Sequence, residues 1–238
     1  MSGHGWTGHV EPGGPSAARV LDEAEIRKAS VGPMDNDAYL VTCRRTGAQL
    51  LVDAPADPDR LLELVREGSA SARLDLLVVT HQHRDHLGAV ASVLAVTGAR
   101  LAAGAPDADA VEQATGQTVN TRLLHGDRLA VGHLTLDVVA LRGHTPGSVA
   151  LALTEPDDVS VAGAVPGRVH LFTGDSLFPG GVGSTQGDPQ RFAQLLGDVT
   201  SRVFERYRDD TWVYPGHGDD TTLGEQRPSL PAWAARGW

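Results

Sequence analysis

The most restrictive stretch of the chain is LDLLVVTHQHRDH, Leu74 to His86, where an apolar run stops at three histidines and an aspartate packed into six positions. A short continuous apolar run suits a strand buried on both faces, so Leu74–Val79 belongs inside a sheet. The polar residues that follow must then lie where that strand leaves the core. His81 and His83 are two apart, so in extended chain both rings face one side and can share one metal ion through imidazole nitrogens. Asp85 and His86 come where the chain turns towards a helix and point in a new direction, which suits a second ion close by. A polar turn that only capped the next helix would use Asp85 as an N-terminal carboxylate, and would have no need of three histidines.

The remaining sequence supplies a globular frame for this turn. Residues 1–17 are rich in Gly and Pro and read as a loose arm, with His4 and His9 as solvated histidines. Residues 18–238 read as one domain, since no linker divides them. From about residue 19 to 53, three segments read as strands joined by turns at GPMDN and TGA. DPDRLLELVREG, LGAVASVLAVTG and PDADAVEQATG have helical spacing and alternate with strands, and DPQRFAQLLGDVTSRVFERY predicts a long amphipathic helix with Asp188 as N-cap and Pro189 in its first turn. Strands first and interleaved helices later predict an α/β (α+β) chain in which sheets are covered by helices.

Three more strand-then-turn segments end in a possible ligand: VVALRGHTPGS with His144, VHLFTGDSLF with Asp175 and WVYPGHGD with His217. Side chains at strand ends converge in an open sheet even when they are far apart in sequence. Together with the first turn they form a cluster of nitrogen and oxygen ligands.

THQHRDH, RGHTPGS, FTGDSLF and PGHG, in this order and spacing, resemble the metallo-β-lactamase superfamily, and within it the glyoxalase-II-like hydrolases, over about Asn36 to His217. The resemblance implies a four-layered αββα sandwich with the metal site at one sheet edge. It also implies that His81, His83 and His144 hold one metal, that Asp85, His86 and His217 hold a second, and that Asp175 bridges them. Asp53, which ends the strand LLVDA, matches a family aspartate that orients a ligand histidine. Two divalent cations are implied, Zn2+ by default with Fe or Mn as alternatives, and Asp85 and Asp175 are the carboxylates at the chemistry. The implied reaction is hydrolysis of a small thioester or ester by a metal-bridged hydroxide. A mono-iron persulfide dioxygenase, a lactonase or atypical β-lactamase, and a metal-binding module without turnover are the rival readings.

Departures narrow this. The sole cysteine, Cys43, lies in an early strand, so it cannot supply the cysteine ligand of one class of β-lactam hydrolases and reads as a small buried residue. Only GDDTTLGEQRPSLPAWAARGW follows the last ligand, and FPGGVGSTQ differs from the glutathione-dependent pattern, so a glutathione thioester is a weaker expectation than hydrolysis itself. Thirty acidic residues against 20 basic give a formal charge of -10, which excludes a general nucleic-acid binder. No long apolar segment or leader stands out, so a small-molecule substrate, no membrane partner and a cytoplasmic location are expected. No motif fixes an oligomeric state. His125, His133 and His170 read as structural.

Overall fold

The computed structural model describes residues 6–237. Its first sheet has seven strands in chain order: β1 (Ala17–Val20), β2 (Ala24–Val31), β3 (Asn36–Cys43), β4 (Gln49–Val52), β5 (Leu74–Val79), β6 (Arg100–Gly104) and β7 (Thr121–Leu123). Pairing is antiparallel through β4 and parallel from β4 to β7. Parallel neighbours need a crossover, and α1 (Pro58–Gly68), α2 (Val90–Thr97) and α3 (Ala108–Thr115) supply them. The helix limits follow local chemistry: the Asp57 side chain accepts from Arg60 N and Pro58 starts α1, while Gly98 closes α2 at φ 66.

The second sheet contains β8 (Arg128–Val131), β9 (Leu134–Ala140), β10 (Val149–Thr154), β11 (Val169–Gly174), β14 (Trp212–Pro215) and β15 (Thr221–Thr222), in the order β15-β14-β11-β10-β9-β8. A small hairpin of β12 (Leu177–Phe178) and β13 (Gly181–Val182) follows β11. β11 and β14 pair in parallel, and α4 (Pro189–Val199) crosses between them with Asp188 accepting from Gln190 N and Arg191 N. The expected long helix changes character after Val199: Thr200–Phe204 is a π-helical turn closed by Glu205 N donating to Thr200 O at 2.9 Å. α5 (Leu223–Gln226) and α6 (Leu230–Arg236) end the described chain.

Because side chains alternate along a strand, each sheet presents one apolar face to the other and one to helices. Val52, Val78, Leu151 and Phe172 fill the space between the sheets. Leu51 and Leu77 pack with Leu61 and Val93 on the outer side of the first sheet, and Leu171 and Val213 pack with Leu195 and Trp233 outside the second. The layers run αββα. No helix among the described residues is long and apolar enough to cross a membrane.

Of the N-terminal segment, residues 6–17 make several contacts with the body of the fold. Trp6 Nε1 donates to Asp220 Oδ2 at 2.8 Å, Gly8 O accepts from Lys28 Nζ at 2.8 Å, and Ala17 already belongs to β1. The buried Lys28 ammonium requires several acceptors, and the arm provides one of them. His9 is exposed but reaches Asp219 and Glu11; His4 and Trp238 lie outside the described residues.

Candidate metal centre

β5, β9, β11 and β14 all end at the same edge of the two sheets, and the seven candidate residues leave from those ends. His81 and His83 follow β5, and a single 3-10 turn, Arg84–His86, then redirects the chain so that Asp85 and His86 project differently. His144 lies between β9 and β10, Asp175 directly follows β11, and His217 follows β14. Gly216 has to be glycine, because a Cβ there would collide with Asp175 Oδ1.

The side chains converge. Ligand-capable atoms fall into three sets, each within 4.8 Å: His81, His83 and His144; His81, His86 and Asp175; Asp85, His86 and His217. His81 Nε2 lies 3.1 Å from His83 Nδ1. His86 Nε2 lies 3.2 Å from His217 Nε2, and Asp85 Oδ2 is 3.5 and 3.3 Å from those two nitrogens. Asp175 lies between the sets, with Oδ1 at 3.4 Å from His86 and Oδ2 at 4.0, 3.6 and 3.4 Å from His81, His144 and His217.

The far side of each ring fixes which nitrogen is bare. His217 Nδ1 faces Met34 O at 2.9 Å and His144 Nδ1 faces Ser184 O at 2.7 Å; a carbonyl only accepts, so both Nδ1 atoms carry hydrogen. His86 Nδ1 donates to Asp53 Oδ2 at 3.0 Å. Thr80 Oγ1 donates to that same oxygen at 2.8 Å, which leaves it to accept from His81 Nδ1 at 3.0 Å. In the neutral rings, the Nε2 atoms of His81, His86, His144 and His217 therefore point lone pairs inward. Two lone pairs 3.2 Å apart repel unless positive charge lies between them. His144 Nε2 and Asp175 Oδ1 are also buried without a hydrogen-bond partner. Bare imidazole nitrogens with carboxylate oxygens are the donor set of divalent transition metals, so these residues fit such ions.

Protonation follows the same pattern. Burial pushes His81, His83 and His144 below the ordinary histidine range, which keeps them neutral and ligand-competent. Burial also opposes charge on His86, yet Asp53 and Asp175 outweigh it and raise His86 to about 10, so without a metal its Nε2 holds a proton facing His217 Nε2, and a bound cation would take that proton's place. Asp175 is held well below the carboxylate range: burial opposes ionisation, but His217 and His86 dominate. The pocket thus favours cationic charge at its centre.

Asp53, at φ 59, anchors the site from behind: besides His86 it accepts from Thr80 N at 2.7 Å. Sequence reading passed over three further residues. Asp107 is fully buried and, although it stands at the start of α3, does not cap it. It accepts instead from Gln82 N at 3.0 Å, Thr145 Oγ1 at 2.6 Å and Gly147 N at 2.7 Å, tying the turn of His81 and His83 to that of His144. Lys28, the only lysine, is fully buried and binds Gly218 O at 2.5 Å, Asp220 at 2.9 Å and Asp37 at 3.1 Å, fixing the loop after His217. Asn36 Nδ2 donates to Asp85 O and Oδ2 at 3.0 and 3.1 Å. A lysine in a strand with buried neighbours was the one readable signal; Asp107 looks like any helix-start aspartate.

Comparison with known proteins gives a consistent picture. The family model described as Metallo-beta-lactamase superfamily matches residues 31–217. The chain is 29% identical over 189 residues to the probable hydroxyacylglutathione hydrolase glo2 of Schizosaccharomyces pombe, an overlap of 78% of this chain and 65% of that protein. It spans 51% to 65% of the length of several hydroxyacylglutathione hydrolases that it matches. Among solved structures, ETHE1 from Myxococcus xanthus is similar at TM-score 0.71 and 27% identity, covering 88% of this chain and 84% of its own. TTHA1623 in a di-iron-bound form is similar at TM-score 0.64 and 30% identity, covering 86% and 98%.

Proposed function

Because the chain belongs to the metallo-beta-lactamase superfamily, we propose that it is a binuclear metal-dependent hydrolase of a small thioester or ester. The observation that carries this reading is the pair of inward-facing nitrogens, His86 Nε2 and His217 Nε2, at 3.2 Å beside a second, three-histidine set. One set would suffice for a single ion. Two complete sets sharing Asp175 support two.

His81, His83 and His144 would hold the first ion, Asp85, His86 and His217 the second, and Asp175, whose carboxylate lies within 4.0 Å of histidines of both sets, would serve both. Two bound divalent cations supply hydroxide from water near neutral pH and polarise a substrate carbonyl. The chain's own contribution is orientation and proton handling. Asp53, Ser184 O and Met34 O fix the rings of His86, His144 and His217 through Nδ1, so these three are oriented before substrate arrives. Asp85, at 27% side-chain exposure, is more open than Asp175 at 13% and is the carboxylate placed to accept a proton from solvent or substrate. Burial of His81 and His86 limits competing water behind the ligands.

The hydroxyacylglutathione hydrolase names of its relatives support a thioester as substrate class. Zinc is the default metal, and the di-iron form of TTHA1623 favours testing iron beside it. The test is metal stoichiometry on purified protein, followed by turnover of a 2-hydroxyacyl glutathione thioester, simple esters, lactones and a glutathione persulfide. Two metals per chain with thioester or ester hydrolysis is expected. One iron per chain with oxygen uptake on the persulfide, and no hydrolysis, refutes the proposal.

A further inference from the structure

Away from the metal ligands, β9, the turn at residues 125–128 and the π-helical turn after α4 enclose a cleft of about 440 Å³. A second hollow of about 200 Å³ shares His125 and Arg202 with it and continues to Arg142 and Pro146. That size suits a small organic ligand. The lining is unusual for a chain with a formal charge of -10, because Arg128, Arg142, Arg202 and Arg206 all contribute. Two carboxylates oppose these four guanidinium groups. Asp137 pairs with Arg128 at 3.0 Å, while Asp198 grips Arg142 at 2.8 Å and stands 3.4 Å from Arg202. Among the lining residues and their ion-pair partners, guanidinium groups outnumber carboxylates by two.

Placement of these cations is not accidental to the backbone. The π-helical turn carries Arg202, whose Nη1 donates to Ala140 O at 2.7 Å and so pins the guanidinium across the cleft. Among the described residues the Arg206 guanidinium and the His125 ring make no hydrogen bond or ion pair; Arg206 bonds only through its backbone, N to Val203 O at 3.1 Å. Burial, then Arg202 and Arg142, lowers the basicity of His125, leaving a neutral ring able to donate one N–H. A planar guanidinium offers paired N–H donors that match carboxylate and phosphate oxygens.

We propose that this cleft binds a small organic dianion, a phosphate ester or a dicarboxylate, at a site separate from the metal centre. Its two charges would balance the surplus of Arg202 and Arg206, and His125 would add one hydrogen bond.

The metal-loaded full chain is titrated with glycerol 2-phosphate and, separately, with succinate, following the amide resonances of Gly126 and Ser201 and checking that both metals stay bound. Saturable shifts at those amides with one ligand and not the other identify its source. Arg202→Gln/Arg206→Gln should weaken that binding at least about a hundredfold, roughly tenfold per lost charged contact, with metal content unchanged. His217→Ala should leave it unchanged. No saturable shift with either ligand overturns the proposal; so does binding that survives the double arginine variant or disappears with His217→Ala, since the anion would then sit on the metals.

Discussion

Asp107 offers the sharpest quantitative test of how the two ligand-bearing turns are held. Its carboxylate accepts three hydrogen bonds in a buried position, two on Oδ2 from Gln82 N and Thr145 Oγ1 and one on Oδ1 from Gly147 N. Replacement by Ala orphans the two backbone donors, whereas Thr145 Oγ1 keeps Ser148 Oγ at 2.6 Å. Hydrogen bonds to a charged group contribute about 1.5–3 kcal/mol each, so Asp107→Ala should cost about 3–6 kcal/mol, a large part of a typical domain's stability. Asp107→Asn keeps one acceptor for Gly147 N and turns an amide N–H against Gln82 N, for a cost of about 2–3 kcal/mol. Both changes loosen the turns of His81, His83 and His144 while Asp53 and Met34 O still hold His86 and His217. Denaturant melts and metal competition against a chromogenic chelator measure the two effects. The Asn variant should lose affinity for one metal by roughly 10–100-fold and keep the other. Wild-type affinity for both metals, or equal loss of both, refutes the reasoning.

Three further outcomes follow from the same contacts. Asp53→Ala removes the acceptor of His86 Nδ1 and of Thr80, so affinity at the second metal should fall by roughly 10–100-fold in a dialysis assay, with the fold intact by circular dichroism. Lys28→Met strands Asp37 and Asp220 without their cation and should cost about 3–5 kcal/mol in urea unfolding; a loss below about 1 kcal/mol would mean that the pair is not buried as described. His170, lowered to about 4 by burial, stays neutral in the fold while the unfolded ring takes a proton near 6.5. Stability should therefore fall as pH drops from about 6.5 to about 4, by up to about 3 kcal/mol, and His170→Gln should flatten that part of the profile.

What could be read from the sequence follows physical range. The apolar run before His81 and the Asp188-Pro189 helix start are local signals, and the elements formed where they pointed. The density of His81, His83, Asp85 and His86 after one buried strand announced metal chemistry, because no simpler role uses that many imidazoles in one turn. His144, Asp175 and His217 were legible as strand-end polar residues, and their order matched a known family.

What only the tertiary structure decided is how those residues face one another. That β9, β11 and β14 end at the edge where β5 ends depends on sheet order, which no local pattern encodes. The inward lone pairs of His86 and His217 follow from Asp53 and Met34, respectively 33 and 183 positions away. Asp107 carries the signature of an ordinary helix start, and only folding aims it at two loops instead. The surplus charge of the arginine cleft likewise exists only once the end of α4 lies beside β9. Composition and spacing select ligand types, whereas the direction of a lone pair and the sum of charges in a cleft are properties of residues brought together from distant parts of the chain.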